Sequence, residues 1–429
     1  MSVRSFVEAA GRDIDALHGM VLLRGGETVA EGYWRPYRKD APHQLFSLSK
    51  SFTSTAVGFA VAEGLVGLDD PVAGYFGGHG DPRLLVRHLL TMTTGHVEDT
   101  MSPMSRGEDW AAGFLDLPVE REPGTHFVYN TGATYMAAAI VQRVTGRRLV
   151  DYLRPRLFDP LGFGEVTWEQ CPAGLDVGGF GMSARTTEIA RFGQLYLRDE
   201  RGILPDGWAE QATRAQVDNR AAAQNPDWQE GYGFQFWRGR HGTFRGDGAF
   251  GQFCVVMPEQ DTVLALTSGT ADLAAVLDLV WEHLLGELEP VDLPDLAMPG
   301  VQGEPAREEL GTFVVARPRR SRPGDWRPSY EQPPTIRSIT FGPERVSIVD
   351  ETGTHEHVCR PGEWHGDGWR ASTGAWTGPG EYTFKVAHTD GPFVRTYRCH
   401  FDGDAVTVTP GDNVSFGPTG YPPVHATRD

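Results

Sequence analysis

Lysine is nearly missing from this chain. Of the 39 Lys and Arg residues among 429, lysine stands only at Lys39, Lys50 and Lys385. Arginine therefore meets almost every need for positive charge, and a retained lysine is a candidate for what a guanidinium cannot do, which is to lose its proton. Positive charge as a whole is also short, with a formal net charge of -18 and a pI near 5.2. Such a surface repels nucleic acid and anionic membranes at long range, which leaves a small molecule or peptide as the expected partner. No apolar run reaches the roughly 18 residues that spanning a bilayer needs. The opening MSVRSFVEAAGRDIDALHG breaks its apolar positions with Arg and Asp, so a cytoplasmic location is expected. The four cysteines, Cys171, Cys254, Cys359 and Cys399, show no CxxC spacing and are read as buried thiols in preference to a Cys359–Cys399 bridge. No G-x-S-x-G elbow occurs, which disfavours an α/β-hydrolase esterase.

What is present divides by period. Residues 4–17 read as a helix, and MVLLRGGETVAEGYW as two strands around the turn Arg24-Gly25-Gly26-Glu27. SLSKSFTSTAVGFAVAEG spaces its apolar residues as a helix does and stops at Gly64. From about 85 to 225 the pattern is mainly helical, in RLLVRHLLTM, TYMAAAIVQRVTG, VDYLRPRLF and TEIARFGQLYLRD. From 231 it shortens to strands, YGFQFWRG, QFCVVMPE and TVLALTSG, before a closing helix in LAAVLDLVWEHLLGEL. Strands at both ends with helices between predict an α/β (α+β) domain over 1–287, an antiparallel sheet flanked by helices with a helical lobe. Residues 288–310, rich in Pro and acidic groups, read as a linker. The alternating runs of 311–429 predict a small β-barrel or sandwich.

Ser47 and Lys50 stand at the start of a helix, three residues apart, so hydroxyl and amine fall on one face within hydrogen-bond reach. A serine is a poor nucleophile until a base takes its proton, and a desolvated lysine is neutral enough to do so. The same four residues also read as a helix start followed by a surface cation. His355, His357 and His365 lie close in sequence without a matching Cys or acidic set; they are taken as exposed strand residues, and neither metal nor cofactor is expected. His96 and Trp110 read as pocket lining or as loop packing.

Taken in order, QLFSLSKSFTSTAVGFAVAEGLVGLDDPV, HLLTMTTGH, PGTHFVYNTGATYMAAAIVQRVTG, GGFGMSARTTEIARFGQLYL and GDGAFGQFCVVMPEQDTVLALTSG resemble the serine β-lactamase and penicillin-binding-protein superfamily over roughly residues 15–287. The resemblance is to the branch of class C β-lactamases, esterases, D-aminopeptidases and 6-aminohexanoate-dimer hydrolases. It implies a serine hydrolase in which Ser47 is acylated, Lys50 accepts or orients its proton and Tyr129 is the second proton-transfer group. Tyr129 opens the Y-x-N element, which here reads Tyr129-Asn130-Thr131 and carries Thr in place of the last Asn. The third element, usually cationic at its first position, reads Gly246-Asp247-Gly248, so efficient β-lactam hydrolysis is not expected. The N–H groups of Ser47 and Ala249 are the implied oxyanion donors. Asn130, Thr131, Asp247, Gly248 and Arg245, which could replace the missing cation, are the implied substrate-binding residues. An acyltransferase or peptide cyclase of this fold, and a non-catalytic ligand-binding homologue, are the competing readings.

Overall fold

The protein was analysed as a computed structural model that describes residues 2–14, 16–222, 224–306, 308–316, 335–366 and 368–429. Strands β1 (Leu17–Arg24) and β2 (Glu27–Tyr33) form the expected hairpin. Gly25 and Gly26 both hold positive φ, 58° and 84°, as a tight two-residue connection requires. Three short strands, β3 (His43–Gln44), β4 (Thr167–Trp168) and β5 (Met182–Ala184), make a small sheet beside it. The central sheet is completed by β6 (Trp237–Arg238), β7 (Phe244–Gly248), β8 (Gln252–Met257), β9 (Thr262–Ser268) and β10 (Val291–Asp292), in the order β10-β2-β1-β9-β8-β7-β6. All pairs are antiparallel except β10 with β2.

Helices cover both faces of this sheet, which is why β8 and β9 are apolar without alternation and buried throughout. Phe253, Val255 and Met257 pack with Phe6 and Ala10 of the Val3–Asp13 helix and Val276 and Val280 of the Leu273–His283 helix. Cys254 and Val256 face the other way, toward Phe52 of the Ser49–Ala62 helix and Phe192 of the Thr186–Leu197 helix. The lobe is less regular than its pattern suggests. RLLVRHLLTM yields only the Val86–Leu90 helix, and in VDYLRPRLF the Leu149–Leu153 helix widens at Pro155 into an Arg154–Phe158 turn, since proline removes a helical donor. The Thr186–Leu197 helix lies on the central sheet itself.

Residues 288–310 are laid along the body instead of hanging free: β10 extends the sheet, and Met298 and Val301 are buried. Beyond them lie β11 (Gly311–Val314), β12 (Ser338–Gly342), β13 (Arg345–Val349), β14 (Thr354–Val358), β15 (Arg370–Gly378), β16 (Glu381–His388), β17 (Val394–Asp402), β18 (Ala405–Asp412) and β19 (Val424–Arg428). They form one antiparallel sheet, β14-β13-β12-β11-β19-β18-β17-β16-β15. Its end strands meet where Ser372 Oγ donates to Val358 O (2.9 Å) and Arg370 Nη1 lies 2.9 Å from His355 Nδ1, so the sheet is a nearly closed barrel. The barrel docks on the body through the tip between β16 and β17, where the Gln44 N–H donates to Asp390 O (2.8 Å) and Tyr37 Oη to Gly391 O (3.1 Å), and just after β18, where Asn413 Nδ2 donates to Gly269 O (2.9 Å). All four cysteines are buried and free. Among the described residues no helix is long and apolar enough to cross a membrane, and no group of three or more His, Cys, Asp or Glu is placed to hold a metal ion.

Candidate active site

Ser47 sits half-buried in the one-turn helix Phe46–Leu48 that leads into Ser49–Ala62. That turn is tied to β5, because the Leu45 N–H donates to Met182 O (2.8 Å) and the Met182 N–H to Ser49 Oγ (3.1 Å). One turn later Lys50 is 1% exposed, and its Nζ stands 2.9 Å from Ser47 Oγ, 2.7 Å from Gly179 O and 3.5 Å from Thr131 Oγ1. These three oxygens account for the three donors of an ammonium, and loss of one proton leaves a lone pair that can face Ser47. Burial pulls the Lys50 pKa down to about 8, while the charges of Asp99 and Asp247 oppose that fall. Gly179 reaches this spot because it has no side chain; a Cβ there would lie 2.8 Å from Thr131 Cγ2 and 2.9 Å from Thr131 O.

Tyr129 enters from the segment before the Thr131–Thr145 helix. Its ring lies 4.9 Å from Lys50 Nζ and stacks on Trp237 at 5.3 Å and 19°. Burial raises its pKa far above the usual phenol value, reinforced by the charge of Asp247; a hydrogen bond with Ser47 pulls the other way. Burial thus disfavours charge on both groups, and a neutral amine beside a neutral phenol is the pairing that separates a base from an acid.

β7 lies against the Phe46–Leu48 turn. A Cβ on Gly246 would strike Leu48 and Ser51, and one on Gly248 would strike the Leu45 carbonyl, so two side-chain-free residues let the strand approach. Ala249 follows the last ladder pair, Gly248 with Gln252, and its N–H donates to no acceptor among the described residues.

Two of the implied substrate contacts have protein partners in this geometry. Asn130 is fully buried and caps the Thr131–Thr145 helix: its Oδ1 accepts from the Ala133 N–H (3.3 Å), Thr100 Oγ1 (2.8 Å) and the Thr100 N–H (3.1 Å), and Nδ2 donates to Thr94 Oγ1 (3.3 Å). Its amide is spent on the lobe. Arg245 is 0% exposed, lies 4.7 Å over the Trp228 ring and donates from Nε to Asp247 Oδ2 (3.2 Å), while its Nη1 and Nη2 are buried without a partner among the described residues. Asp247 also accepts from Trp228 Nε1 (3.0 Å), and burial raises its pKa against the pull of Arg245. His96 and Trp110 turn out to be lobe packing, against Phe114 and Tyr135 respectively. The pattern pointed to none of Gly179, Asp99 or Trp237. Asp99 Oδ1 accepts from the Thr131 N–H (2.9 Å), which fixes the start of the helix that carries Thr131.

The beta-lactamase family model matches residues 7–284, the span that holds every one of these groups. The chain belongs to the beta-lactamase family. Its relatives include the 6-aminohexanoate-dimer hydrolase of Paenarthrobacter ureafaciens, 28% identical over 59% of this chain and 72% of that protein. Penicillin-binding protein 4 of Amycolatopsis lactamdurans is 27% identical over 62% of this chain and 82% of its own length. The octameric penicillin-binding protein homologue from Pyrococcus abyssi superposes with a TM-score of 0.55, covering 99% of this chain and 98% of the other at 14% identity, a likeness of fold that takes in the barrel. As a beta-lactamase family member with hydrolases among its relatives, the chain is a serine hydrolase.

Proposed function

We propose that this family member cleaves an ester or amide of a small molecule or peptide through an acyl-enzyme on Ser47. The observation that carries the reading is the Lys50 amine, buried, 2.9 Å from Ser47 Oγ and held near pKa 8. Neutral Lys50 takes the Ser47 proton as Oγ attacks the carbonyl carbon. The oxyanion of the tetrahedral intermediate accepts from the N–H groups of Ser47 and Ala249, and Tyr129 protonates the departing alcohol or amine. Water then attacks the acyl carbon as its proton passes to the Tyr129 phenolate, and Ser47 leaves with the proton that the Lys50 ammonium holds, so both groups return to their neutral starting forms. Gly248 lets β7 close on the Leu45 carbonyl and so brings Ala249 beside Ser47, and Thr131 supports Lys50 from the lobe. With Arg245 fully buried and its Nε on Asp247, this strand presents no exposed cation to a substrate carboxylate, which favours uncharged esters and linear amides over β-lactams.

The test is turnover of p-nitrophenyl acetate by the full chain and by Ser47→Ala, with a fluorophosphonate label located by mass spectrometry. Loss of turnover and a label on Ser47 are expected. Undiminished turnover in Ser47→Ala, or a label elsewhere, would refute the nucleophile.

A further inference from the structure

The two candidate oxyanion donors have bulky neighbours in an uncommon backbone conformation. Phe46, just before Ser47, has φ 47°, and Phe250, just after Ala249, has φ 64°. A left-handed conformation is an outlier for such residues and persists where packing over-determines it. Here part of that packing comes from the C-terminal barrel. Phe393 and Val414 join Phe46 and Phe250 in one buried cluster, with Ala249 against it. Phe393 is 1% exposed, and its ring centroid lies 6.3 Å from that of Phe46 and 5.7 Å from that of Phe250, both edge-on. Phe416, exposed on the barrel, closes the outer side at 5.8 Å and 4.7 Å from the same two rings.

Both supports are themselves fixed. Asn413 grips the barrel tip, accepting from the Val394 N–H (2.7 Å) and donating to Pro392 O and Gly269 O (2.9 Å each). From the catalytic body, Ser268 Oγ donates to Phe250 O and Gly251 O (2.9 Å each). Phe46 and Phe250 meet edge-on at 5.3 Å, and the β16–β17 tip therefore seats a third ring against the two segments whose N–H groups must converge on one oxygen.

We propose that Phe393 is a positioning residue for the oxyanion hole: the barrel wedges it against the touching Phe46–Phe250 pair, whose rings lie 5.3 Å apart, and so holds the Ser47 and Ala249 N–H groups in place relative to each other. The inference rests on the reading of Ser47 as nucleophile. Oxyanion donors act only when they stand at hydrogen-bond distance from where the charge develops, so a slack wedge lowers the rate of chemistry without touching the proton-transfer groups.

Phe393→Ala and Phe393→Leu in the full chain test it with the same ester and the same phosphonate. For Phe393→Ala we expect kcat to fall at least tenfold with KM within twofold, the pH midpoint of kcat/KM unmoved, and Phe393→Leu to recover most of the loss. The phosphonate separates positioning from folding, because the final number of labels per chain counts folded sites and the labelling rate per site reads the hole. A label number near one with a slowed rate is the expected result. A rate per site equal to wild type, with or without fewer sites, overturns the proposal. If Phe393→Ala does not fold, Val414→Ala is judged by the same per-site rate, expected to be down at least threefold. A defect in the nucleophile assignment shows separately, as turnover in Ser47→Ala, whatever Phe393 does.

Discussion

On one flank of Ser47 stand polar groups of the catalytic body alone, Lys50, Tyr129, Thr131 and the Gly179 carbonyl; on the other stand aromatic rings drawn from both domains, Phe46, Phe250 and Phe393. The difference follows from what each flank has to do. Proton transfer needs titratable groups whose charge is made costly by burial while their hydrogen bonds stay satisfied, and Lys50 meets both conditions. Holding two main-chain dipoles at a fixed angle needs rigidity and no charge at all, which close-packed rings supply.

The largest effect is expected where charge is preserved and deprotonation is not. Lys50→Arg keeps a cation beside Ser47 but removes the base, and should lower kcat/KM by about a thousandfold, in the range of a general base's contribution. In the unaltered enzyme kcat/KM should rise as pH climbs through about 8, because Lys50 must be neutral to act, and this limb should vanish in Lys50→Arg. A pH profile that is flat between 6 and 9 in the parent would remove Lys50 from the base role. Next comes Tyr129→Phe, which leaves the ring on Trp237 and takes away only the hydroxyl. We expect a loss of about a hundredfold with the limb near 8 retained; a limb displaced by more than a unit would mean that Tyr129 and not Lys50 sets it.

The smallest effect concerns the seam beneath the apolar flank. His18 stacks on Tyr37 at 3.6 Å and lies 3.1 Å from His43, and His388 ends β16 nearby. Burial lowers all three, His43 to about 4 and His388 to about 3. An unfolded chain would protonate these residues near 6.5, so between about pH 4 and 6.5 it binds more protons than the native one, and stability rises with pH through that window. Thermal unfolding from pH 7 down to pH 5 should therefore show Tm falling by a few degrees, with part of the fall removed in His43→Gln. An equal fall in that variant would place the acid-sensitive groups elsewhere.

Much of the site was legible as spacing. An i, i+3 pair at a helix start puts Ser47 and Lys50 together whatever the rest of the chain does, and the scarcity of lysine singles out Lys50. Two of the observed side-chain partnerships also carried a local signal. Asn130 directly precedes a long apolar helical run, which is the position of an N-cap, and Arg245 and Asp247 share one face of a strand, where opposite charges pair. Trp237 and the Gly179 carbonyl had no such signal, since a stacking partner and a main-chain oxygen carry no pattern of their own.

The order of elements, the hairpin, the Ser49–Ala62 helix and the change to short strands near residue 231 were determined by the sequence itself, because hydrophobic period and turn chemistry act over a few residues. Only the tertiary structure decided that the 311–429 strands close into a barrel, that residues 288–310 run along the body, and that Phe393 is seated against Phe46 and Phe250. Those outcomes depend on which apolar surfaces meet across distant parts of the chain, and burial energy, being non-directional, leaves no mark of its partner in either segment.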